Sequence, residues 1–578
     1  MMEVRVGDRS VTQHVWPSWS LVCFKLPPSR LVWEAHLYTF ARPRPELLRP
    51  APPVLKARDP PTSGLASLPS DVLHIIVLIL QRKPTTDEYR PDQTWDEEFC
   101  SGAPLIPLSE TCRYLRAQTK PQIFRHVYNW SRADGAVWPD TLWPFITEAR
   151  LRHHSIRHPK PISVSTELFQ ALPLMPSLTK VVLSLEWVPA ELLVALSLVP
   201  QLNNLEIEQA RLDGPSLHLT RSSFASLESL RICIWRYTAN IATRVVDSRS
   251  ENDNLAELLR AVHGRLTILS ISGDLLSPHF LSLQWPLLRK FVVTEHTPTP
   301  YLSVPELTTR MPALRELSVL FSADLVRTGS ELRPPFTLGN LDGPLLSDSS
   351  PHLHTVTLSN LQPDDPIFSQ LPRDLDALHI RAACDLYISA RSARRSLQEA
   401  ALTSSTVFNV VRHIARLTNL TELTLTLDYF PTPALIDIVA SACPGLRVLE
   451  LGYLRYGRGD VYVEDVRDDA LLQPLARLTR LAHLRISLDF YARDPPLRQQ
   501  YPQGMAASWL FENIATLQSV AFTWQNWTRW AKFRPLEQTR WETYDRRVIK
   551  AVARTAAALA SMPISVLPEA IVPVGIPM

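Results

Sequence analysis

Apolar residues recur along this chain in a fixed pattern: one apolar position, two variable ones, a second apolar position, one variable one and a third apolar position. The pattern first appears at Leu178, Val181 and Leu183, and the last copy is Leu517, Val520 and Phe522. Residues two apart in an extended chain point to one side, so each copy predicts a short strand with one buried face. One strand cannot bury that face alone, and the pattern therefore predicts a solenoid of stacked repeats whose extended concave surface binds other macromolecules.

The stretches between these strands predict helices, because apolar residues recur in them every three or four positions. The closest copies lie about 22 to 26 residues apart, near the period of a leucine-rich repeat. The predicted fold class is α/β: an irregular leucine-rich-repeat solenoid over residues 166–530, preceded by a small all-helical module. The repeats should be irregular because Glu186, Ala210 and Trp235 stand where ordinary repeats carry an Asn or Cys that bonds the turn backbone.

Residues that alternate with the buried pairs should be exposed on the concave face, among them Val182 and Thr424. Their charges are of mixed sign, which favours a protein partner over a polyanion. Function in such folds tends to lie on loops held by a rigid scaffold, and long insertions flank the more C-terminal strands. We therefore place target binding between about residues 375 and 490. The candidate residues are His379, Arg381, Glu422, Glu450, His483 and Arg485.

Composition agrees with a soluble globular protein, since 45% of the 578 residues are hydrophobic and 20% are charged. A net charge of +3 gives no indication of nucleic-acid binding. No apolar run is long enough for a membrane span, and the first residues lack the charged-then-apolar layout of an export signal, so a cytoplasmic or nuclear location is expected. The six cysteines include no C-x-x-C pair, which favours free thiols.

The chain divides into five stretches. Residues 1–63 are a Pro-rich tail expected to be disordered, and residues 64–130 form a compact segment with an acidic insert at 81–107. A linker is expected at 131–165, the solenoid at 166–530, and a helical cap and tail at 531–578.

Three blocks within residues 64–130 carry the most specific motif of the chain. Leu68-Pro69 precedes an apolar helix that contains Val72, Ile76 and Leu80. A second helical run places Leu108, Cys112 and Leu115 on one stripe. Pro121 begins a third short element, which contains Ile123, Phe124, Arg125 and Val127.

These blocks closely resemble the F-box, and the layout of F-box followed by repeats is similar to that of F-box proteins numerous in mushroom-forming fungi. The resemblance implies a Skp-type adaptor as partner and, through it, a cullin scaffold. Eight residues would contact the adaptor: Leu68, Pro69, Val72, Ile76, Leu80, Leu108, Cys112 and Leu115. The insert at 81–107 exceeds the usual F-box spacing, and it either leaves the docking face intact or blocks it.

Catalytic chemistry finds no support in the sequence. Motifs for acyl transfer, phosphate binding, dinucleotide binding and zinc proteolysis are absent, so we expect neither an enzyme nor a cofactor. His153, His154 and His158 lack carboxylate or cysteine neighbours and are interpreted as part of a solvated basic linker. Two functions are favoured: the substrate receptor of a ubiquitin ligase, with an unknown protein target, or an interaction scaffold without that role.

Overall fold

The computed structural model describes the part of the chain that contains the repeats. The described residues are 105, 109, 113–130, 138–152, 166–185, 187–208, 210–212, 214–220, 222–233, 248–295, 303–321, 337–340, 344–359, 364–382, 401–429, 431–453, 469–487, 502–523, 541–551 and 554. Every described residue belongs to one compact unit, Leu68–Met578.

Among the described residues, fifteen strands form one sheet in which spatial order follows sequence order. The strands are β1 His126–Trp130, β2 Glu148–Arg152, β3 Lys180–Ser184, β4 Asn204–Glu208, β5 Ser229–Cys233, β6 Ile268–Ser272, β7 Lys290–Glu295, β8 Glu316–Phe321, β9 Thr355–Ser359, β10 Ala377–Arg381, β11 Glu422–Leu427, β12 Val448–Tyr453, β13 His483–Ile486, β14 Ser519–Thr523 and β15 Trp541–Asp545. All neighbours pair in parallel except β14 and β15, which are antiparallel. This is the strand ladder of a leucine-rich-repeat solenoid.

Helices supply most of the crossover connections that parallel strands require. They are α1 Arg113–Ile123, α2 Thr166–Ala171, α3 Ala190–Ser197, α4 Ser248–Val262, α5 Pro278–Ser282, α6 Val304–Thr308, α7 Leu346–Ser349, α8 Ile367–Gln370, α9 Ser404–Ile414, α10 Pro433–Ala442, α11 Asp469–Ala476 and α12 Pro502–Asn513, with 3-10 turns at Asp140–Phe145, Leu172–Leu174 and Gly273–Leu275. Thr403 caps α9 by accepting a hydrogen bond from the N–H of Thr406 at 3.3 Å. Lengths run from 4 residues in α7 to 15 in α4, so the repeats are irregular, as predicted.

Two rows of apolar side chains run along the sheet and form one core with the buried faces of the helices. In β11, Leu423 and Leu425 have no exposed surface. Their neighbours in register, Leu378 in β10 and Leu449 in β12, are equally buried. Full burial of one leucine contributes about 1.5–3 kcal/mol, so these rows hold successive repeats together.

The sheet begins earlier than the sequence pattern predicts. Strand β1 lies within the F-box segment, and β2 lies within the expected linker. Both belong to the sheet because both supply buried residues to its core. In β2, Ala149 and Leu151 are 0% and 2% exposed, and Ile146 before them is also fully buried. Ile146, Ala149 and Leu151 have the spacing of the repeat, but the alanine hides it from a search for large apolar residues.

Helix α1 also differs from the prediction, since Pro121 lies inside it and does not begin a separate element. The chain passes from α1 to β1 through Phe124 and Arg125 alone, and Val127 of β1 is 7% exposed. Earlier F-box positions, from Leu68 to Leu108 and Cys112, lie outside the described residues.

The C-terminal segment differs as well. Residues 541–545, expected to be helical, form β15, and residues 546–551 are helical. Strand β15 covers β14 in antiparallel register, with Tyr544 opposite Val520. The ring of Tyr544 lies 6.0 Å from that of Phe522, so an aromatic contact covers the last core residue.

Candidate functional site

The side of the sheet turned away from the helices is the candidate binding surface. Its residues occupy the first, third and fifth positions of each strand and alternate with the buried pairs, as in the half-exposed Asn204, Glu206 and Glu208 of β4. Parallel register aligns them into rows that cross the strands. We call this surface the open face.

Charges at the N-terminal end of the open face are paired with one another. Glu148 of β2 accepts hydrogen bonds from His126 Nδ1 at 3.0 Å and Arg150 Nε at 2.8 Å. Burial raises the pKa of Glu148, but these hydrogen bonds and the charges of Arg150 and Lys180 outweigh it and lower the pKa to about 2. Glu148 is therefore ionised and bound to its own neighbours.

The next strands continue the pairing. Lys180 Nζ lies 2.6 Å from Glu206 Oε1, and Arg231 Nη1 lies 3.6 Å from Glu208 Oε1. Acid and base thus alternate across β3 to β5. A partner that used any of these charges would first have to break an existing ion pair.

The third-position row becomes neutral in the middle of the sheet. From β6 to β9 it carries Ser270, Val292, Ser318 and Thr357, which are aligned by register. The first-position row beside it holds one ion pair, Lys290 Nζ to Glu316 Oε2 at 2.9 Å.

The six residues predicted to bind a target all lie on strands β10 to β13. His379, Glu450 and Arg485 share the third-position row, with Thr424 between the first two. Glu422 and His483 share the first-position row. Adjacent strands are about 4.8 Å apart, so β10 and β13 are about 14 Å apart.

Most of these residues already have partners within the chain. Arg485 Nη1 lies 3.1 Å from Glu450 Oε2, and His483 Nδ1 lies 2.8 Å from the hydroxyl of Ser519. Arg381 is exposed and Glu422 half-buried, and the described residues offer neither side chain a hydrogen bond or ion pair.

Thr424 does not follow the simple alternation of buried and exposed residues along a strand, and its contact with His379 explains why. The hydroxyl of Thr424 lies 2.8 Å from His379 Nδ1, and Thr424 is only 4% exposed. Burial and the positive charge of Arg381 lower the pKa of His379 to about 4, so the ring is neutral at pH 7. Thr424 is therefore buried beneath a neighbouring side chain. Val182, also expected to be exposed, is 2% exposed.

Of the eight expected adaptor contacts, only Leu115 is among the described residues. It lies on α1, is 3% exposed and is thus packed within its own chain. Leu68, Pro69, Val72, Ile76, Leu80, Leu108 and Cys112, and the three histidines at 153, 154 and 158, lie outside the described residues.

Polar residues that the sequence pattern did not identify hold the loops after the strands. Asn254 of α4 accepts a hydrogen bond from the N–H of Leu217 at 2.7 Å and donates to the carbonyls of Leu212 at 2.8 Å and Pro215 at 3.2 Å. Asn254 thus makes the backbone hydrogen bonds that the turn asparagine makes in ordinary repeats. Because Asn254 belongs to the following helix, the pattern within one repeat does not reveal it.

Asp365 has a similar role between β8 and α8. Its carboxylate accepts the N–H groups of Leu338 at 2.6 Å, Gly339 at 2.9 Å and Ile367 at 2.9 Å. Burial raises the pKa of Asp365, and the three N–H groups oppose that rise. A Cβ on Gly339 would overlap the backbone nitrogen of Ile367, so the close approach of these segments requires glycine.

Within the described part of the chain, no helix has the length and apolar character needed to cross a membrane. The two cysteines described there, Cys233 and Cys443, are buried. Burial raises the pKa of the Cys443 thiol to about 11.

Comparison with known proteins adds no family assignment. The sequence matches no family model, and no curated protein is significantly similar to it. Similar solved structures include an internalin, InlF, from Listeria monocytogenes, with 14% identity, a TM-score of 0.28 and coverage of 62% of this chain and 91% of that one. The leucine-rich-repeat protein LegL7 from Legionella pneumophila has 12% identity, a TM-score of 0.30 and coverage of 61% and 97%.

The complex of Rad7 and Elc1 in yeast is also similar, with 14% identity, a TM-score of 0.28 and coverage of 61% of this chain and 73% of that one. TM-scores this low do not establish a common fold. The repeat architecture therefore stands on the strand ladder and the two rows of buried side chains.

Proposed function

We propose that this protein is the substrate-recognition subunit of a Skp-cullin-F-box-type ubiquitin ligase, of the type found in mushroom-forming fungi. The observation that carries the proposal is the order of three F-box-like blocks directly before a repeat sheet. In this arrangement the blocks dock a Skp-type adaptor, the adaptor binds a cullin, and the repeats bind a protein target.

The connection between the two parts supports this division of work. Lys120 near the end of α1 donates to the carbonyl of Thr141 at 3.4 Å, and its ammonium lies 5.0 Å from the ring centre of Phe145. Both partners belong to the 3-10 turn between β1 and β2. Helix α1 is therefore fixed beside the turn that joins the first two strands of the sheet.

The proposed mechanism needs no chemistry from this chain. Holding a target near the ligase raises its effective concentration and fixes its orientation, which accelerates ubiquitin transfer. On the target side we propose the open face of β10 to β13. Arg381 and Glu422, the charges without partners in the described residues, would make the first contacts.

The decisive experiment is a pull-down of the full chain with purified Skp-type adaptor. Wild type should retain the adaptor, and Ile76→Asp should lose it, because a carboxylate buried without a partner costs several kcal/mol. Gln118→Asp is the matched control, since Gln118 is exposed on α1. Circular dichroism should show folded repeats in all three proteins. Undiminished adaptor binding by Ile76→Asp would refute the docking assignment.

The acidic insert favours one alternative. Residues 81–107 carry Asp87, Glu88, Asp92, Asp96 and Glu98 between the first two F-box-like blocks. An insert that covered the docking face would leave a repeat scaffold without a ligase role. In that case wild type would fail to bind the adaptor, and a variant lacking the insert would bind it.

A further inference from the structure

Three exposed arginines lie in the turns before strands β7 and β8, and their side chains have no partner among the described residues. We call this border of the sheet, formed by the turns before the strands, the amino rim. Arg289 precedes β7 directly, Arg315 precedes β8 directly, and Arg310 lies in the turn before β8. All three are exposed, and the described residues provide no hydrogen bond or ion pair to any of their guanidinium groups.

Backbone hydrogen bonds fix the bases of these side chains next to one another. The carbonyl of Arg289 accepts the N–H of Arg315 at 2.8 Å, and the carbonyl of Arg315 accepts the N–H of His354 at 3.1 Å. The carbonyl of Arg310 accepts the N–H of Trp285, four residues before Arg289, at 2.9 Å. Trp285 is fully buried, so the turn beneath the arginines is anchored in the core.

Other repeats use arginine differently at an equivalent place. Arg310 stands six residues before its strand, as do Arg416 and Arg477. Arg416 Nη2 donates to the carbonyls of Phe368 and Leu371 in the preceding repeat, the latter at 2.9 Å. Arg477 binds the carboxylate of Asp437 and also the hydroxyl of another residue of the preceding helix. Arg310 has no such structural task.

Like charges at neighbouring positions repel, and a bound anion would relieve that repulsion. The open face differs, because its charges are largely paired within the chain. Among the described residues, the amino rim of β7 to β9 therefore offers three cations to a partner with no ion pair to break.

The acidic residues on either side of the arginines limit the length of the anion that can bind. The residue directly before each strand defines the rim. Before β5 and β6 it is Glu228 and Thr267, and before β9 and β10 it is His354 and Asp376. Backbone hydrogen bonds of 2.8 to 2.9 Å join Glu228 to Thr267, Thr267 to Arg289, and His354 to Asp376. The amino rim is thus about 10 Å long from β7 to β9, given a strand spacing of about 4.8 Å. A long polyanion such as nucleic acid would run onto Glu228 and Asp376 and be repelled.

The backbones of Arg289 and Arg315 occupy equivalent places before adjacent strands, and Arg310 lies six residues before β8. Separately anchored arginines suit the several single charges of an acidic peptide. Alternate residues of an extended peptide are about 6.8 Å apart on one side, about 2 Å more than the strand spacing of about 4.8 Å, and flexible arginine side chains can span that difference. We propose that the amino rim of β7 to β9 binds a short acidic segment of a partner protein, in extended conformation, through carboxylates set against Arg289, Arg310 and Arg315. This proposal does not depend on adaptor docking.

The test measures fluorescence anisotropy of a fluorescein-labelled peptide of alternating glutamate and serine, titrated with the full chain at low ionic strength. Wild type should bind saturably, and Arg289→Glu/Arg315→Glu should bind at least about tenfold more weakly, because two attractions become repulsions. Arg412→Glu/Arg547→Glu changes the net charge equally at exposed positions elsewhere and should stay within about twofold. Raising salt should weaken wild-type binding.

Two further probes separate other anions. Labelled oligouridine should bind wild type no better than it binds the Arg289→Glu/Arg315→Glu variant, and inorganic phosphate should compete no better than chloride at equal ionic strength. The proposal is overturned by equal peptide binding in wild type and double variant, by absence of saturable binding, or by arginine-dependent binding of oligouridine or phosphate in preference to the peptide. If the glutamate variant does not fold, Arg289→Gln/Arg315→Gln provides the same comparison with a smaller loss.

Discussion

Thr424→Ala tests the hydrogen bond between Thr424 and His379 on the open face. Thr424 is 4% exposed, and its hydroxyl lies 2.8 Å from Nδ1 of the half-buried His379. The substitution removes that hydrogen bond and leaves a partly buried ring nitrogen without its partner. We expect a loss of about 1–3 kcal/mol in the free energy of unfolding.

Two other substitutions provide reference values for the loss in the free energy of unfolding. Leu423→Ala should cost more, about 2–5 kcal/mol, because its neighbours Leu378 and Leu449 are fully buried and leave little room for the cavity to collapse. Thr357→Ala is the matched control. Thr357 stands beside His379 in the same row, is half-buried and has no side-chain hydrogen bond among the described residues, so the change should stay within about 0.5 kcal/mol.

Urea melts followed by circular dichroism give the global free energies. Amide hydrogen exchange in β10 to β12 measures the local loss, since each repeat contacts mainly its neighbours. Equal values for Thr424→Ala and Thr357→Ala would refute the histidine–threonine contact. Equal values for Leu423→Ala and Thr357→Ala would refute the assignment of the core row.

Three further predictions follow from single contacts. Because the folded protein holds His379 neutral down to about pH 4 while the unfolded chain protonates it near 6.5, wild-type stability should fall as pH drops from 6.5 to 4; urea midpoints of His379→Gln should fall less across that window, and parallel curves would contradict this account. Gly339→Ala should lower the melting temperature by an amount equivalent to about 1–3 kcal/mol, because its Cβ overlaps the backbone of Ile367; an unchanged calorimetric melting temperature would argue against the close approach. Arg381→Glu/Glu422→Lys should change the set of proteins captured by proximity labelling without altering adaptor binding, and an unchanged set would exclude these charges from target recognition.

Much of the repeat architecture can be read from local spacing. Leu423 and Leu425 are buried as the pattern predicts, because alternation in a strand is a property of consecutive residues. Strand β2 does not stand out in the pattern for the same local reason, since Ala149 fills a core position with a small side chain. The burial of Thr424 under His379 cannot be predicted from local spacing, because the two residues are 45 positions apart and only strand register brings them together.

The sequence by itself determined which residues turn toward the core and that strands and helices alternate, since both follow from the periodicity of neighbouring residues along the chain. Only the tertiary structure decided which charges are satisfied. Arg485 and Glu450 pair because register sets them side by side, whereas the side chain of Arg310 has no partner among the described residues, although its position in the repeat matches that of Arg416. Pairing depends on what the adjacent repeat presents a few ångströms away, and no spacing within one repeat contains that information.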